Sequence, residues 1–580
     1  MSRRSFISAA ALGGTFLAST GLIGCTPSAG SSSSTQGSSS SAQSQEKTES
    51  AQSQEKAGTT ASNRPWENPP PLITDATDGG SFDVVVVGAG IAGVATAEGA
   101  STNGSSVLVV EQFSKITAHG MDNGHIGSKW QQENGYNINP DEATKLVYRW
   151  SQQTANYNLI RQWAYRSGKV FDYFQELAAK SDIKVVKALS PTSKWGWDQL
   201  DEYWRLFPCA VSFVKEGDGM ITPEGEFVNY RIVNLLYENA VVHGAEFMFN
   251  TRAEQLVQDS SGRVTGIIVT DEDGKHIKYN ATKGVVLASG GIDGNEEMLK
   301  AWAPICLRVN VKGYFPENGN KGDGITMGLW AGAALSRTTA APMVHLSNPD
   351  AVLSARLMCW LAVNRNGNRY GAEMCMEPYI TNARLTQPGN ISWSIYDSNY
   401  ATYVEKQYPT QYEDILNPLD SFLSGKPVPI QEKIDARVDA GYIKKANTIE
   451  ELANILGIPT DNFKNAVQRY NKWYDMGKDD DFGVPHRFLS KIDTPPFYAE
   501  PVPTNMLVCI HGLHVNDDSQ VCDDDDNPIP GLFAVGNMQG DFFANSYSVH
   551  CPGISHGRAL TFGNLVGEAL AKDTVITKTM

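Results

Sequence analysis

The chain has 580 residues, 41% of them hydrophobic and 19% charged, which is enough for two or three domains with sizeable cores. Its net charge of -16 and pI near 5.2 disfavour nucleic acid and anionic headgroups as partners. Eight cysteines stand at 25, 209, 306, 359, 375, 509, 522 and 551, with no CxxC or CxxCH among them. Covalent haem and sequence-local iron–sulfur binding are therefore not expected, while a cluster gathered from distant cysteines stays open.

The chain opens with Arg3 and Arg4 ahead of a weakly apolar stretch diluted by Gly13, Gly14, Ser19, Thr20 and Gly21. That stretch is too short and too polar for a comfortable membrane span. The arginine pair resembles a twin-arginine export signal, and Leu22, Ile23, Gly24 and Cys25 resemble a lipoprotein signal peptidase site. Residues 1–25 are thus expected to be a signal, with a lipid on Cys25 as the membrane link. Residues 26–64 are mostly Ser, Gln, Thr, Ala and Gly, with a repeat at 41–47 and 50–56. They have little to bury and read as a disordered tether with a reach of roughly 35 Å.

Residues 82–87 are a β-branched run suited to a buried parallel strand. Gly88, Ala89, Gly90, Ile91, Ala92 and Gly93 follow, then an alanine-rich helical stretch, a second strand at 107–110, and Glu111 with Gln112. This is strand, GxGxxG, helix, strand, acid. Gly88 permits the tight turn, Gly90 lets the backbone approach a pyrophosphate, and Gly93 lets the helix lie close to the strand. The helix N-terminus offers N–H groups to phosphate, and Glu111 can accept hydrogen bonds from ribose.

Three later segments select FAD by resemblance. Residues 283–298, with Gly290 and Gly291, resemble the strand-then-Gly-Gly segment of the fumarate reductase and ketosteroid dehydrogenase flavoprotein superfamily. Ala253 within 251–256, followed by 262–264, resembles that superfamily's β-meander beside the adenine. Gly536, Asn537, Gly553, Ile554 and Ser555, followed by 557–563, resemble the strand and helix that close over the ribityl chain and flavin ring. The loop with Asn123 and Gly124 departs from the usual Gly-Gly-Asn-Ser beginning but keeps small residues for the flavin phosphate. Asp323, in 322–333, is also in a segment expected near the flavin.

The resemblance covers roughly 80–575 and implies an α/β fold: a Rossmann-like FAD-binding domain with a β-meander and an inserted α+β capping domain. The expected division is 80–335 for the first part of the FAD-binding domain, 336–500 for the cap, and 501–575 for its C-terminal part. FAD is expected to be noncovalent. Within the cap, Asn364, Arg369, Tyr370 and Glu373 carry the resemblance, and helical runs are expected at 448–456 and 461–475. Trp195, Trp197 and Trp204 form an aromatic cluster that could line an apolar pocket, with core packing the leading reading.

Fumarate reductases of the superfamily use arginines and histidines on their substrate. His345 matches a substrate-binding histidine. The acid-donating arginine position is Glu377, a family histidine position falls on Cys509 with His511 nearby, and the carboxylate-clamping arginine aligns with His550. These departures argue against fumarate and cast doubt on any dicarboxylate. Tyr547 and Tyr379 stand in matching territory and are the expected proton donors, with His345, His550 and His511 in supporting roles. No metal is expected. The leading expectation is a reductase of an activated C=C bond in an enone or unsaturated acid, acting on a small-molecule substrate. Its electrons would come from a separate membrane or haem-bearing donor. The alternatives are a dehydrogenase of a ketosteroid-like ring and a non-catalytic electron-transfer flavoprotein.

Overall fold

The computed structural model describes residues 64–188, 205–312, 318–345, 352–353, 358–374, 379–418 and 426–578. The segments expected as signal and tether, Arg64 apart and with Arg3, Arg4 and Cys25 included, lie outside the described residues, as do Trp195, Trp197, Trp204 and Glu377.

The first strand, β1 (Thr77–Val87), ends in four valines, Val84 to Val87, all of them buried. A helix, α1 (Ile91–Ser101), carries the chain over to β2 (Val107–Val110), which pairs with β1 in parallel, Val84 to Val107 through Val87 to Val110. The expected strand–helix–strand unit is therefore present. The next segments are β3 (Asn123–Gly124), a long helix α2 (Tyr157–Ala178), β4 (Lys184–Lys187) and β5 (Ala210–Val214). They form a separate antiparallel sheet in the order β3–β5–β4. A helix α3 (Tyr230–Val242) leads to β6 (Glu246–Met248), then to β7 (Arg252–Gln258), β8 (Val264–Thr270) and β9 (His276–Leu287).

The strands β7 and β8 form the antiparallel meander, and β9 returns into the main sheet parallel to β1, Val87 beside Leu287. Among the described residues that sheet runs β17–β18–β9–β1–β2–β6, where β17 (Gln520–Cys522) and β18 (Pro528–Ala534) come from the far end of the chain. Purely apolar runs such as Val84–Val87 follow from burial on both faces. One face is covered by α1 and the C-terminal helix, which approach backbone to backbone. A Cβ on Gly99 would meet Asn564 O at 2.4 Å, and one on Gly567 would meet Thr96 O at 2.2 Å.

A second apolar core, around Trp360, Tyr396, Phe463 and Tyr470, belongs to the segment expected as the cap. Its sheet is built from β12 (Leu361–Asn364), β13 (Ser392–Asp397), β14 (Lys444–Ala446) and β15 (Phe497–Pro501), in the order β12–β13–β15–β14. Helices Ile449–Leu456 and Thr460–Met476 form where amphipathic periodicity placed them, the first capped by Thr448, whose hydroxyl accepts from Glu451 N at 3.0 Å. Arg369 is almost fully buried and makes paired contacts with Glu373 and Asp479 at 2.7–2.9 Å. This motif thus ties the cap together. A small sheet packed on the first core joins β10 (Val311–Lys312), β11 (Ala341–His345) and β16 (Asn505–Ile510) in the order β10–β16–β11. Among the described residues no helix is long and apolar enough to cross a membrane.

Candidate active site

A cavity of about 340 Å³ runs along the C-terminal edge of the main sheet. Gly88, Gly90, Ile91 and Ala92 line it at the start of α1, with Glu111 and Gln112 after β2 and Thr251, Arg252 and Ala253 at the meander. The three motif glycines act differently. Gly88 has φ +105°, and a Cβ there would meet Ala288 O at 2.7 Å. A Cβ on Gly93 would strike Gly88 O at 1.9 Å, so Gly93 is packed under the cavity and does not line it. At Gly90 the nearest atom to an added Cβ is Thr117 Oγ1, at 3.8 Å, so the space over this residue is open. Gly90 is also the N-cap of α1, with no side chain capping the first turn. Free N–H groups facing open space fit a pyrophosphate.

Glu111 is buried, accepting from Ala89 N at 2.7 Å and Phe113 N at 2.9 Å, and burial raises its carboxyl above the ordinary value. Ala89 therefore acts by holding this acid rather than by facing the cavity. The donor set fits the adenosine diphosphate half of a dinucleotide.

The remaining walls come from distant segments. Ser289 and Gly290 follow β9, Asn320 and Asp323 start the helix α4 (Asp323–Trp330), and Gly536, Asn537 and Tyr547 follow β18. Gly553, Ser555, His556 and Ala559 open α5 (Ile554–Ala571), the helix that packs on α1, again with no side-chain cap on its first turn. Leu206, Met220, Phe227, Met327, Met343, Leu507, Val508 and Val549 supply apolar surface.

Several expected residues stand elsewhere. Gly291 sits behind the wall, where a Cβ would meet Cys509 O at 3.1 Å, and Ile554 is fully buried off the cavity. Asn123 and Gly124 are committed to β3: Asn123 Nδ2 donates to Asn229 Oδ1 at 2.8 Å, and a Cβ on Gly124 would meet Pro552 O at 2.4 Å. The loop just before them, His119 to Asp122, faces the cavity instead.

Among the catalytic candidates, Tyr547 lines the cavity. It is 2% exposed and stacks on Phe543 at 4.6 Å, and burial holds its phenol well above the ordinary value, hence protonated. The Arg558 guanidinium, and more weakly Ser555 at the α5 N-terminus, pull the other way. His550 does not line the cavity. Its Nδ1 donates to Arg205 O, and its ring meets Trp150 edge-on at 5.0 Å. His511 lines a separate crevice of about 10 Å³ with Asp541 and Gln539. Burial pushes both histidines down to about 4, so neither is a cation at neutral pH. His345 ends β11 opposite Asn505, and Tyr379 begins the helix Tyr379–Leu385. The side chains of these two lie outside the described residues.

Two histidines that sequence reasoning gave no cavity role do line it. His119 is pushed down to about 4 by burial, and its Nδ1 has no hydrogen-bond partner among the described residues. Burial also lowers His556, whose Nδ1 donates to Asp122 O at 2.8 Å. The second, His556, is one of four histidines of the sequence, with His511, His514 and His550, that fall in one short C-terminal window. Among the described residues no three His, Cys, Asp or Glu side chains gather as metal ligands.

Residues 83–549 match the family model of an FAD binding domain. The chain belongs to this FAD-binding family. It falls in the flavoprotein superfamily that contains fumarate reductases and ketosteroid dehydrogenases. It is 26% identical to the vinyl phenol reductase of Lactiplantibacillus plantarum over 85% of this chain and 97% of that one. It is 25% identical to the NADH:acrylate oxidoreductase of Vibrio harveyi over 85% of this chain, spanning about half (51%) of that longer protein. The solved 3-ketosteroid-Δ4-(5α)-dehydrogenase of Rhodococcus jostii has the same fold, at a TM-score of 0.64 and 24% identity over 85% of this chain and 98% of that one. The protein is an FAD-dependent oxidoreductase of the class that acts on CH–CH and C=C bonds.

Proposed function

We propose that this flavoprotein reduces the activated C=C bond of a neutral or weakly charged, largely apolar acceptor, such as an enone or aryl acrylate. In this reading it works outside the cytoplasm, held to a membrane by lipid on Cys25, with electrons from a separate membrane or haem-bearing donor. The observation that carries the substrate class is the cavity wall. Leu206, Met220, Phe227, Met343, Leu507 and Val549 make it apolar, and among the described lining residues the one Arg or Lys is Arg252. That guanidinium is engaged by Asp323 at 2.9 Å. A dicarboxylate needs cationic donors, best in arginine's planar fork, whereas His550 is neutral and turned to Arg205. The vinyl phenol and acrylate relatives support the direction of reaction.

The bound FAD supplies the two-electron chemistry. The glycine turns at Gly88 and Gly90, Glu111 and Ala253 would hold its adenosine diphosphate half. Asn537 and Ser555 stand at the walls left for the flavin. Apolar side chains exclude water and strengthen every polar contact inside. Tyr547 keeps its proton at neutral pH and can deliver it to a substrate carbon. Ser555 and the α5 N-terminus, which favour the ionised phenol, would then stabilise the phenolate left behind.

The test is reoxidation of dithionite-reduced protein, followed by flavin absorbance, with aryl acrylates, vinylphenols, neutral enones, acrylate and fumarate. The aryl and neutral acceptors should reoxidise it fastest. Fumarate as the fastest acceptor would overturn the substrate class. Reduction of the oxidised protein by a ketone-bearing ring, with no alkene turned over, would assign the reverse reaction.

A further inference from the structure

Arg558, one turn into α5, is a buried cation for which the reading above has no use. Its side chain is 0% exposed. Nη1 donates to Gln539 O at 3.3 Å, and Nη2 to Asn537 Oδ1 at 3.2 Å. The guanidinium carbon lies 5.4 Å from the Phe542 ring centre and 5.0 Å from that of Phe543. Among the described residues no carboxylate pairs with it, and Nε has no hydrogen-bond partner. A buried arginine normally sits against an anion, because an uncompensated charge is expensive to desolvate. Packing between two rings does not require a charge at this position.

The missing anion belongs to the cavity. Asn537, which Arg558 holds, lines it, as do Ser555, His556 and Ala559 around Arg558 on α5 and Tyr547 opposite. The adenosine diphosphate half is taken by the α1 turn, Glu111 and Ala253, so these walls are left for the flavin. The ring system is neutral when oxidised. On taking up two electrons and one proton it gains one negative charge. We infer that Arg558 is the fixed countercharge of the flavin, one layer behind Asn537, placed to favour the reduced anionic form over the oxidised one. In a site closed to water such a charge acts over several ångströms with little screening. Burial lowers the guanidinium only to about 10, so it stays charged at neutral pH. The titratable groups facing it are Tyr547, from the segment leading into α5, and His556 on the helix itself.

The inference rests on FAD binding alone and does not depend on the substrate. Its test is the midpoint potential of FAD-loaded protein, titrated spectroelectrochemically. Arg558→Gln should weaken the preference for reduced over oxidised flavin at least tenfold, a fall of about 30 mV for a two-electron couple. Arg558→Lys provides a second reading if the glutamine variant does not fold. A buried ammonium loses its proton far more readily than a guanidinium. The lysine variant should therefore match the parent at pH 6 and fall progressively below it towards pH 9. An unchanged potential in Arg558→Gln would overturn the inference. So would lysine-variant and parent potentials that stay parallel across pH, or a change in turnover alone, which would assign Arg558 to Tyr547 instead.

Discussion

Gly90 gives the site its sharpest single-residue test. Outside its chain neighbours nothing stands closer than 3.8 Å to a Cβ built there, so Gly90→Val should fold. Its side chain would occupy the space that a pyrophosphate needs beside the α1 N-terminus. The expected outcome is a folded, colourless protein that cannot be reconstituted with FAD, whereas the parent is yellow and releases FAD on acid precipitation. Tyr547→Phe should do the converse, retaining FAD and losing turnover by about 10²–10⁴-fold. Retained activity in that variant would move the proton donor to another residue.

Asp293 should add a pH dependence to stability. It is fully enclosed, accepting from Cys509 N–H and from Asn320 Nδ2 at 2.8 Å, and burial raises its carboxyl from 3.8 to about 7. A carboxyl raised in the fold contributes stability that is complete below its unfolded value and is lost as pH climbs through the folded one. Urea unfolding should therefore show a decline from about pH 4 to about pH 7 that is shallower in Asp293→Asn. Equal slopes in the two proteins would refute it. The motif glycines and Glu111 were legible in sequence because local backbone geometry fixes their roles. Arg558, Asp293 and His119 were not. Asp293 and His119 owe their character to segments far along the chain, and Arg558 to the loop that precedes its helix; an isolated Arg, Asp or His carries no sign of such burial.

At the scale of elements, the contact between α1 and α5 holds together two helices whose first turns both line the cavity. Glycines make it close: Gly99 on one helix, Gly563 and Gly567 on the other. At Gly567 a Cβ would lie 2.2 Å from Thr96 O, a backbone atom that cannot swing aside. Gly567→Ala should thus cost about 1–3 kcal/mol despite alanine's better helix propensity, read from the urea midpoint. Gly90→Ala, with open space at its Cβ, is the control and should leave the midpoint of the FAD-free protein nearly unchanged. A stabilised Gly567→Ala protein would mean that the helices can separate without loss. The β1–α1–β2 unit and the two cap helices were readable because their periodicity is local. The β3–β5–β4 and β10–β16–β11 sheets were not. Each joins short strands from segments far apart, and Asn123–Gly124 looked like a phosphate loop because a two-residue strand with a glycine has the same composition.

At the scale of the whole molecule, charge decides how a membrane link could work. The net charge is -16, so the chain has no overall attraction for an anionic bilayer surface. The described residues contain no spanning helix. A single acyl chain gives only marginal, reversible binding, so a stable link through Cys25 needs more than one chain on that residue. All of the proposed anchoring then passes through one thiol. Cys25→Ala should move the protein wholly from the membrane to the soluble fraction of extracytoplasmic material, with its FAD content and its activity towards an artificial donor unchanged. Activity with the native membrane donor should fall, because the enzyme would be diluted away from it. Membrane retention of Cys25→Ala at parental levels would show that another part of the chain, or a partner protein, makes the contact.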